Sequence, residues 1–323
     1  MVYLLFEHIR IFMILLNGFI VSVKTTDNNE TSVIDLRLTY VKVPEARTYY
    51  VCQQFEVKDD KPYHVTRFEP TINNTEIIHH MLVFGCEFEM DEKGPHPCDS
   101  LDYRCHTWLG KWDVGMDDLI MPENGGVRIG KGSFKYLLLQ IHWNNEGASK
   151  DETDCSGMRL HVTSNLRPYD VGNVQIGQNT IDIPGEASDV LISGTCSSKC
   201  TGLMLPRPIY ITDVYLHMHG LGTRSALEVH RDREVNERIA YEDNYNYRKP
   251  IWHNLNPPVI INPGEPIEIK CWFDSEKGMR YRNKTTSFGQ GTQAEMCYAF
   301  IRYYPRILGF DQCLQKGNKS LNC

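Results

Sequence analysis

The sequence lacks a basic excess. Its 34 lysines and arginines stand against 41 acidic residues, a formal net charge of -7. Nucleic acids are met by surplus positive charge, so no such partner has a footprint here. There is no CxxC pair and no repeated short cysteine spacing of the kind zinc knuckles use. No stretch sustains a helical period, and there is no internal repeat or low-complexity segment. No apolar run reaches the ~20 residues that span a bilayer. The longest follows Arg10, runs from Ile11 to Val23 and is closed by Lys24. Its length and flanks fit a secretory signal peptide over residues 1–23, with an uncleaved membrane anchor as the competing reading.

What is present agrees with secretion. Eleven cysteines are scattered along the chain, none of them in the leader. In a secreted chain that pattern reads as disulfides, and the odd count leaves at least one thiol free or paired outside the chain. Asn29, Asn73, Asn283 and Asn318 each head an Asn-x-Ser/Thr sequon, which makes them the expected glycosylation sites. The expected location is the secretory pathway: secreted, in a secretory vesicle, or held in the endoplasmic reticulum.

Segments 77–84, 136–143, 158–163, 209–217, 267–273 and 296–304 are short and rich in branched and aromatic residues. They read as strands. Turn-forming clusters lie between them: Asp59-Asp60-Lys61-Pro62, Pro122-Glu123-Asn124-Gly125-Gly126, Asn256-Pro257-Pro258 and Asn262-Pro263-Gly264. The expected class is all-β, built from sandwiches. A boundary near Leu166-Arg167-Pro168-Tyr169 would divide 323 residues into a linker at 24–34, domains at 35–166 and 167–315, and a tail at 316–323.

Five of the twelve histidines sit inside such strands. His217 and His219 are two apart, so on a strand they share a face and can grip one metal. His79 and His80 are adjacent and would point oppositely, unless the strand ends, twists or bulges there. His142 would have to come from a second strand. A single strand histidine is usually a packed, hydrogen-bonded core residue. Two tandem pairs in apolar strands are costly to bury without partners, and a metal removes that cost. Imidazole suits zinc, copper, iron and nickel, and a thioether would narrow the choice to copper. Spacing alone does not say which of eleven methionines would supply it.

The strings His79-His80-Met81-Leu82-Val83-Phe84-Gly85-Cys86, Gln140-Ile141-His142-Trp143, Leu216-His217-Met218-His219 and Glu295-Met296-Cys297 resemble the copper type II, ascorbate-dependent monooxygenases. That family holds the dopamine and tyramine β-hydroxylases, the MOXD-type proteins and the peptidylglycine α-hydroxylases. The resemblance covers roughly residues 35–315 and keeps the family's motif order. It implies two antiparallel, jelly-roll-like β-sandwich domains, one copper in each, facing across a cleft. It implies His79, His80 and His142 as ligands of an electron-supplying copper, and His217, His219 and Met296 as ligands of an oxygen-binding copper. His217 and Tyr50 are then the residues nearest the chemistry; for Tyr50 the plainer reading is a strand aromatic. The implied cofactors are two copper ions, with ascorbate as reductant and O₂ as co-substrate. The implied partners are ascorbate and a small substrate, with the oligomeric state left open.

The family's disulfide pattern implies Cys52–Cys98, Cys86–Cys105, Cys196–Cys313 and Cys271–Cys297. Cys200 resembles the amine-hydroxylase branch, with Cys323 the nearest substitute for its partner. Cys155 resembles the peptide branch but lacks the expected mate before Cys52. The peptide branch reads a terminal carboxylate with an arginine where this chain has Tyr215, and with a tyrosine where it has Phe300. Without that charge-assisted contact, peptide amidation loses its warrant. The run from Met296 to Ile307 resembles the amine-hydroxylase and MOXD-type branch. Those relatives usually carry an additional N-terminal β domain, so the chain fits a minimal version, a truncated isoform or an incomplete gene model. The first expectation is β-hydroxylation of a phenylethylamine such as dopamine or tyramine. The alternatives are a MOXD-type enzyme with a hydrophobic non-amine substrate, or a secreted copper-binding protein without activity. Gln175 stands where amine hydroxylases carry a glutamate, and Gln140 shares a strand face with His142.

Overall fold

A computed structural model describes residues 24–25, 31–58, 60–98, 104–231, 236–249, 251–276, 278–291, 293–317 and 319–321. The leader, Asn29, Asn318 and Cys323 lie outside the described residues. The fold is all-β, in two sandwiches.

In the first sandwich a five-stranded sheet runs in the order His96–Pro97, Thr48–Glu56, Tyr136–Asn144, Ile78–Cys86, Thr107–Asp113. The opposing seven-stranded sheet includes Thr31–Arg37, Gly157–Thr163, Pro62–Thr71 and Gly125–Gly130, and ends on Tyr169–Asp170. Alternate residues such as Ile34 and Leu36 on one sheet, and Leu137, Leu139 and Ile141 on the other, fill the space between. In the second sandwich a six-stranded sheet runs Trp252–Ile261, Ile209–His217, Cys297–Tyr304, Gly172–Gln178, Gln312–Lys316, Lys319–Leu321. Its mate holds Val190–Cys196, Ile267–Phe273, Gly222–His230 and Asn236–Glu242. On Ile267–Phe273 every second residue is buried, as a sheet with one wet face requires.

Two strands break that rule along their whole length. Thr107–Asp113 and Cys297–Tyr304 are buried at every position. Each belongs to an inner sheet covered on both sides: by its own core, and by the inner sheet of the other sandwich. Phe84, Trp108 and Leu138 from the first meet Tyr215, Tyr298 and Phe300 from the second in a third apolar cluster. Polar ties cross the same boundary. Asn173 Nδ2 donates to the carbonyls of Trp108 and Leu109, both at 3.1 Å, and Arg302 Nη1 donates to that of Ile120 at 3.1 Å.

One turn expectation fails. Asn256-Pro257-Pro258 lies inside the strand Trp252–Ile261. This strand is the edge of its sheet, where the missing proline N–H groups leave no ladder bond unmade, and its pairing slips opposite Ile211 and Asp213. The α-helix Ser198–Met204 is too short to leave a periodic signature; Ser197 caps it by accepting from the Cys200 N–H. The structure bridges Cys52 to Cys98, Cys86 to Cys105, Cys196 to Cys313 and Cys271 to Cys297. Cys200 is also disulfide-bonded, whereas Cys155 is a free thiol beside Arg37, whose Nη2 lies 3.5 Å from its sulfur.

Candidate metal centre

His142 lies two residues before the end of Tyr136–Asn144, the central strand of the first inner sheet, and its partner across the ladder is His80. One residue further the register slips, so that Trp143 faces Ile78 and His79 becomes the extra residue of a bulge. The bulge turns adjacent histidines toward one side. Their rings close into a triangle, with centroids 5.3 Å apart for His79 and His80, 5.0 Å for His79 and His142, and 4.8 Å for His80 and His142. The Nδ1 atoms of His79 and His80 are 3.1 Å apart. Two nitrogens at ~2.0–2.1 Å from one tetrahedral ion would stand about 3.3 Å apart, so the spacing fits a shared metal.

The surroundings of His142 agree. Its Nε2 meets the Thr48 hydroxyl at 2.6 Å, and Tyr50 stacks on its ring at 4.2 Å with planes 3° apart. Its Nδ1 is buried and has no hydrogen-bond partner. An orphaned buried nitrogen costs about 1–3 kcal/mol, which a metal bond would offset. Burial pushes the His142 imidazole down to about 3, and does the same in direction to His79 and His80. Neutral rings offer lone pairs, as metal ligation demands.

The second cluster is held differently. The strand Ile209–His217 ends on its own histidine, and His219 stands just beyond it. Leu216 and Met218 are fully buried. The inward–outward alternation therefore persists past the strand end and keeps His217 and His219 together, with centroids 5.2 Å apart. His219 Nδ1 donates to the Ala294 carbonyl at 2.8 Å, which leaves Nε2 as the free lone pair. Burial lowers the proton affinity of both rings. Glu295, 1% exposed, accepts from the backbone N–H groups of His219 at 2.8 Å, Leu221 at 2.6 Å and Met296 at 3.3 Å. One carboxylate thus ties the His219 loop to the residue that precedes Cys297. The Tyr245 hydroxyl accepts from the Met218 N–H at 2.9 Å and donates to the Met218 carbonyl at 2.8 Å.

All six of these residues, His79, His80, His142, His217, His219 and Met296, line one cavity of ≈ 540 Å³ between the inner sheets. Tyr50, Gln140 and Gln175 line it as well. Gln140 also reaches the Cys98 carbonyl at 3.4 Å. The rest of the wall is largely aromatic, with Trp108, Tyr215, Tyr298 and Phe300. Among the sequons, Asn73 and Asn283 are exposed.

Sequence reasoning missed four contributors. Lys111 and Asp113 form a buried ion pair in the cavity wall. Lys111 Nζ sits 4.2 Å from the centre of the Tyr215 ring and 5.5 Å from that of Phe300. Desolvation lowers its proton affinity, and Asp113 works against that. A lysine and an aspartate inside the otherwise apolar strand Thr107–Asp113 were the available signal. Glu295 stood in a quoted motif without a role, and nothing local marks Tyr245.

Two all-β domains with paired histidine clusters define a class, and known sequences match it. The N-terminal domain of the copper type II ascorbate-dependent monooxygenases matches residues 34–150, and the C-terminal domain of the same family matches residues 169–322. The chain belongs to that family. It is 32% identical to dopamine beta-hydroxylase of Equus caballus over 289 residues, which covers 84% of this chain and 47% of that protein. It is 31% identical to MOXD1 homolog 1 of Drosophila melanogaster over 273 residues, 76% of this chain and 38% of that one. With tyramine beta-hydroxylase of Caenorhabditis briggsae it shares 30% identity over 283 residues, 81% of this chain and 46% of that one. The chain spans about half the length, or less, of the curated relatives it matches.

Proposed function

We propose that the chain is an ascorbate- and O₂-dependent copper monooxygenase that hydroxylates a C–H bond of a small aromatic substrate. His79, His80 and His142 would hold one copper; His217, His219 and Met296 would hold the other. The observation that carries the reading is the convergence of these six side chains on one cavity. Copper there supplies a one-electron couple at an all-imidazole site, and an O₂-reactive cuprous ion at the site finished by a soft thioether.

The chain's own residues do the rest. Burial keeps the imidazoles neutral. Tyr50 and Thr48 fix the plane of His142, and the Ala294 carbonyl fixes that of His219. The aromatic wall excludes water and packs against a ring-shaped substrate. The domains are read as 35–166 and 167–315, with the strand Tyr169–Asp170 reaching back to pair with Gly125–Gly130 of the first sandwich and Lys319–Leu321 extending the second sheet past 315. The four bridges and the exposed sequons at Asn73 and Asn283 favour folding in the secretory pathway.

Two readings of the substrate compete, a phenylethylamine and an uncharged aromatic. The Lys111–Asp113 pair favours the second. Asp113 is the one carboxylate among the described residues that line the cavity, and Lys111 already neutralises it. An entering ammonium would meet a cation and find no free counter-charge. The test is copper- and ascorbate-dependent O₂ uptake with tyramine, dopamine and an uncharged 4-alkylphenol. Hydroxylation of the phenol with little turnover of either amine is expected. Preference for the amines would overturn the substrate reading, and no copper-dependent product from any of the three would overturn the enzyme reading.

A further inference from the structure

Beside the histidine cavity lies a second hollow of ≈ 910 Å³. His79 and Asp113 belong to the walls of both, and Tyr247 faces both. The two linings differ in chemistry. The first is aromatic, with its single ion pair neutralised internally. The second is polar and carries Arg248, Arg280 and Arg282. Its carboxylates are Asp113, which is tied to Lys111, and Glu146.

None of the three guanidinium groups has an ion-pair partner among the described residues. Arg248 donates to the Tyr247 hydroxyl at 3.0 Å. Arg282 donates only to the backbone carbonyls of Met279, at 3.4 Å, and Tyr281, at 2.9 Å. Arg280 makes one long bond, 3.4 Å to the Gly222 carbonyl, and its Nε is buried with no partner at all. A buried N–H without an acceptor is destabilising. Three cations around one unpaired carboxylate, in a chain of net charge -7, form a built receptor for an anion rich in acceptor oxygens.

We propose that this hollow is the docking site of the reductant, the ascorbate monoanion, and so the port through which electrons reach the His79, His80 and His142 site. The proposal rests on the copper reading above for the electron's destination, though not for the binding itself. Enolate and lactone oxygens accept from the arginines, while the sugar-like hydroxyls meet Asn244, Asn246 and Glu146. In the step, the bound monoanion would lose one electron and one proton. The electron would pass to a cupric ion held by His79, His80 and His142, the proton would pass to water, and the semidehydroascorbate radical would leave. Two such events supply the two electrons of one hydroxylation. Because His79 belongs to both walls, a reductant in the polar hollow would reach that histidine without entering the aromatic cavity. Reductant and substrate then bind without competing.

The test begins with the copper-free chain, titrated anaerobically with ascorbate by calorimetry. Saturable binding is expected, weakened by added salt. It should fall at least tenfold in Arg280→Met and in the separate variant Arg248→Met/Arg282→Met, with partial recovery in Arg280→Lys. The double variant guards against any folding defect specific to Arg280. In the copper-loaded chain, mixed without O₂, the half-saturating ascorbate concentration for loss of the Cu(II) resonance should rise by a similar factor. Reduction by an uncharged ferrocene should be unchanged, as should the KM for the hydroxylated substrate. Unaltered ascorbate binding in both methionine variants would overturn the port. A chain that binds ascorbate through these arginines but holds no copper would overturn the proposed function and leave the anion site standing.

Discussion

In the first domain every histidine of the cluster grows from hydrogen-bonded strands; in the second the chain leaves its sheet at His217, and His219 and Met296 stand outside it. The first cluster is therefore as rigid as its ladder, with a bulge at His79 as its one irregularity. The second owes its shape to a buried carboxylate, Glu295, and to a tyrosine hydroxyl that clasps both ends of the Met218 peptide unit. One site is built by sheet register and the other by side-chain bracing. Under the proposed function, the first would suit a group that only passes electrons, and the second a group that accepts O₂ and a substrate in turn, since loops can yield where ladders cannot.

The comparison can be broken most directly at the ligands. His142→Ala and His217→Ala should each abolish turnover, by about 1,000-fold or more, and each should remove one copper while leaving the other, as read by metal analysis. If either variant lost both ions, the two sites would not be separately built. Glu295→Gln should come next. It keeps one acceptor oxygen and places a donor against a backbone N–H. A loss of roughly 1–3 kcal/mol in stability is expected from denaturant unfolding. Affinity at the second site should fall about 10- to 100-fold while the first site holds. Lys111→Met frees Asp113 inside the cavity. Tyramine turnover should rise about tenfold relative to the uncharged phenol, a differential of ~1.4 kcal/mol. Thr48→Val should have the smallest effect, a drop of about tenfold or less in copper affinity at the first site alone.

Much of this architecture is legible in the chain. Period-two burial on Ile267–Phe273 and the apolar run of Tyr136–Asn144 announce strands. The His-x-His and His-His pairs stand out as candidate metal ligands, and the structure gathers them around one cavity. The rest depends on facts that no local window holds. Whether His79 and His80 point together is decided by where Trp143 pairs, a tertiary matter of register. Asn256-Pro257-Pro258 looks like a turn because its chemistry is turn chemistry, and only its place on a sheet edge lets a strand carry it as a bulge. Lys111 and Asp113 look like ordinary surface charges until the second domain closes over them. The arginines of the polar hollow come from two segments more than thirty residues apart, around 248 and around 280.

The most direct measurement of the central claim is X-ray absorption on the copper-loaded chain after reduction by ascorbate, compared with Met296→Leu. Two coppers per chain are expected, with a sulfur scatterer at one of them that disappears in the variant, while the all-nitrogen copper stays unchanged. A single copper, or a sulfur signal that survives the loss of Met296, would contradict the account.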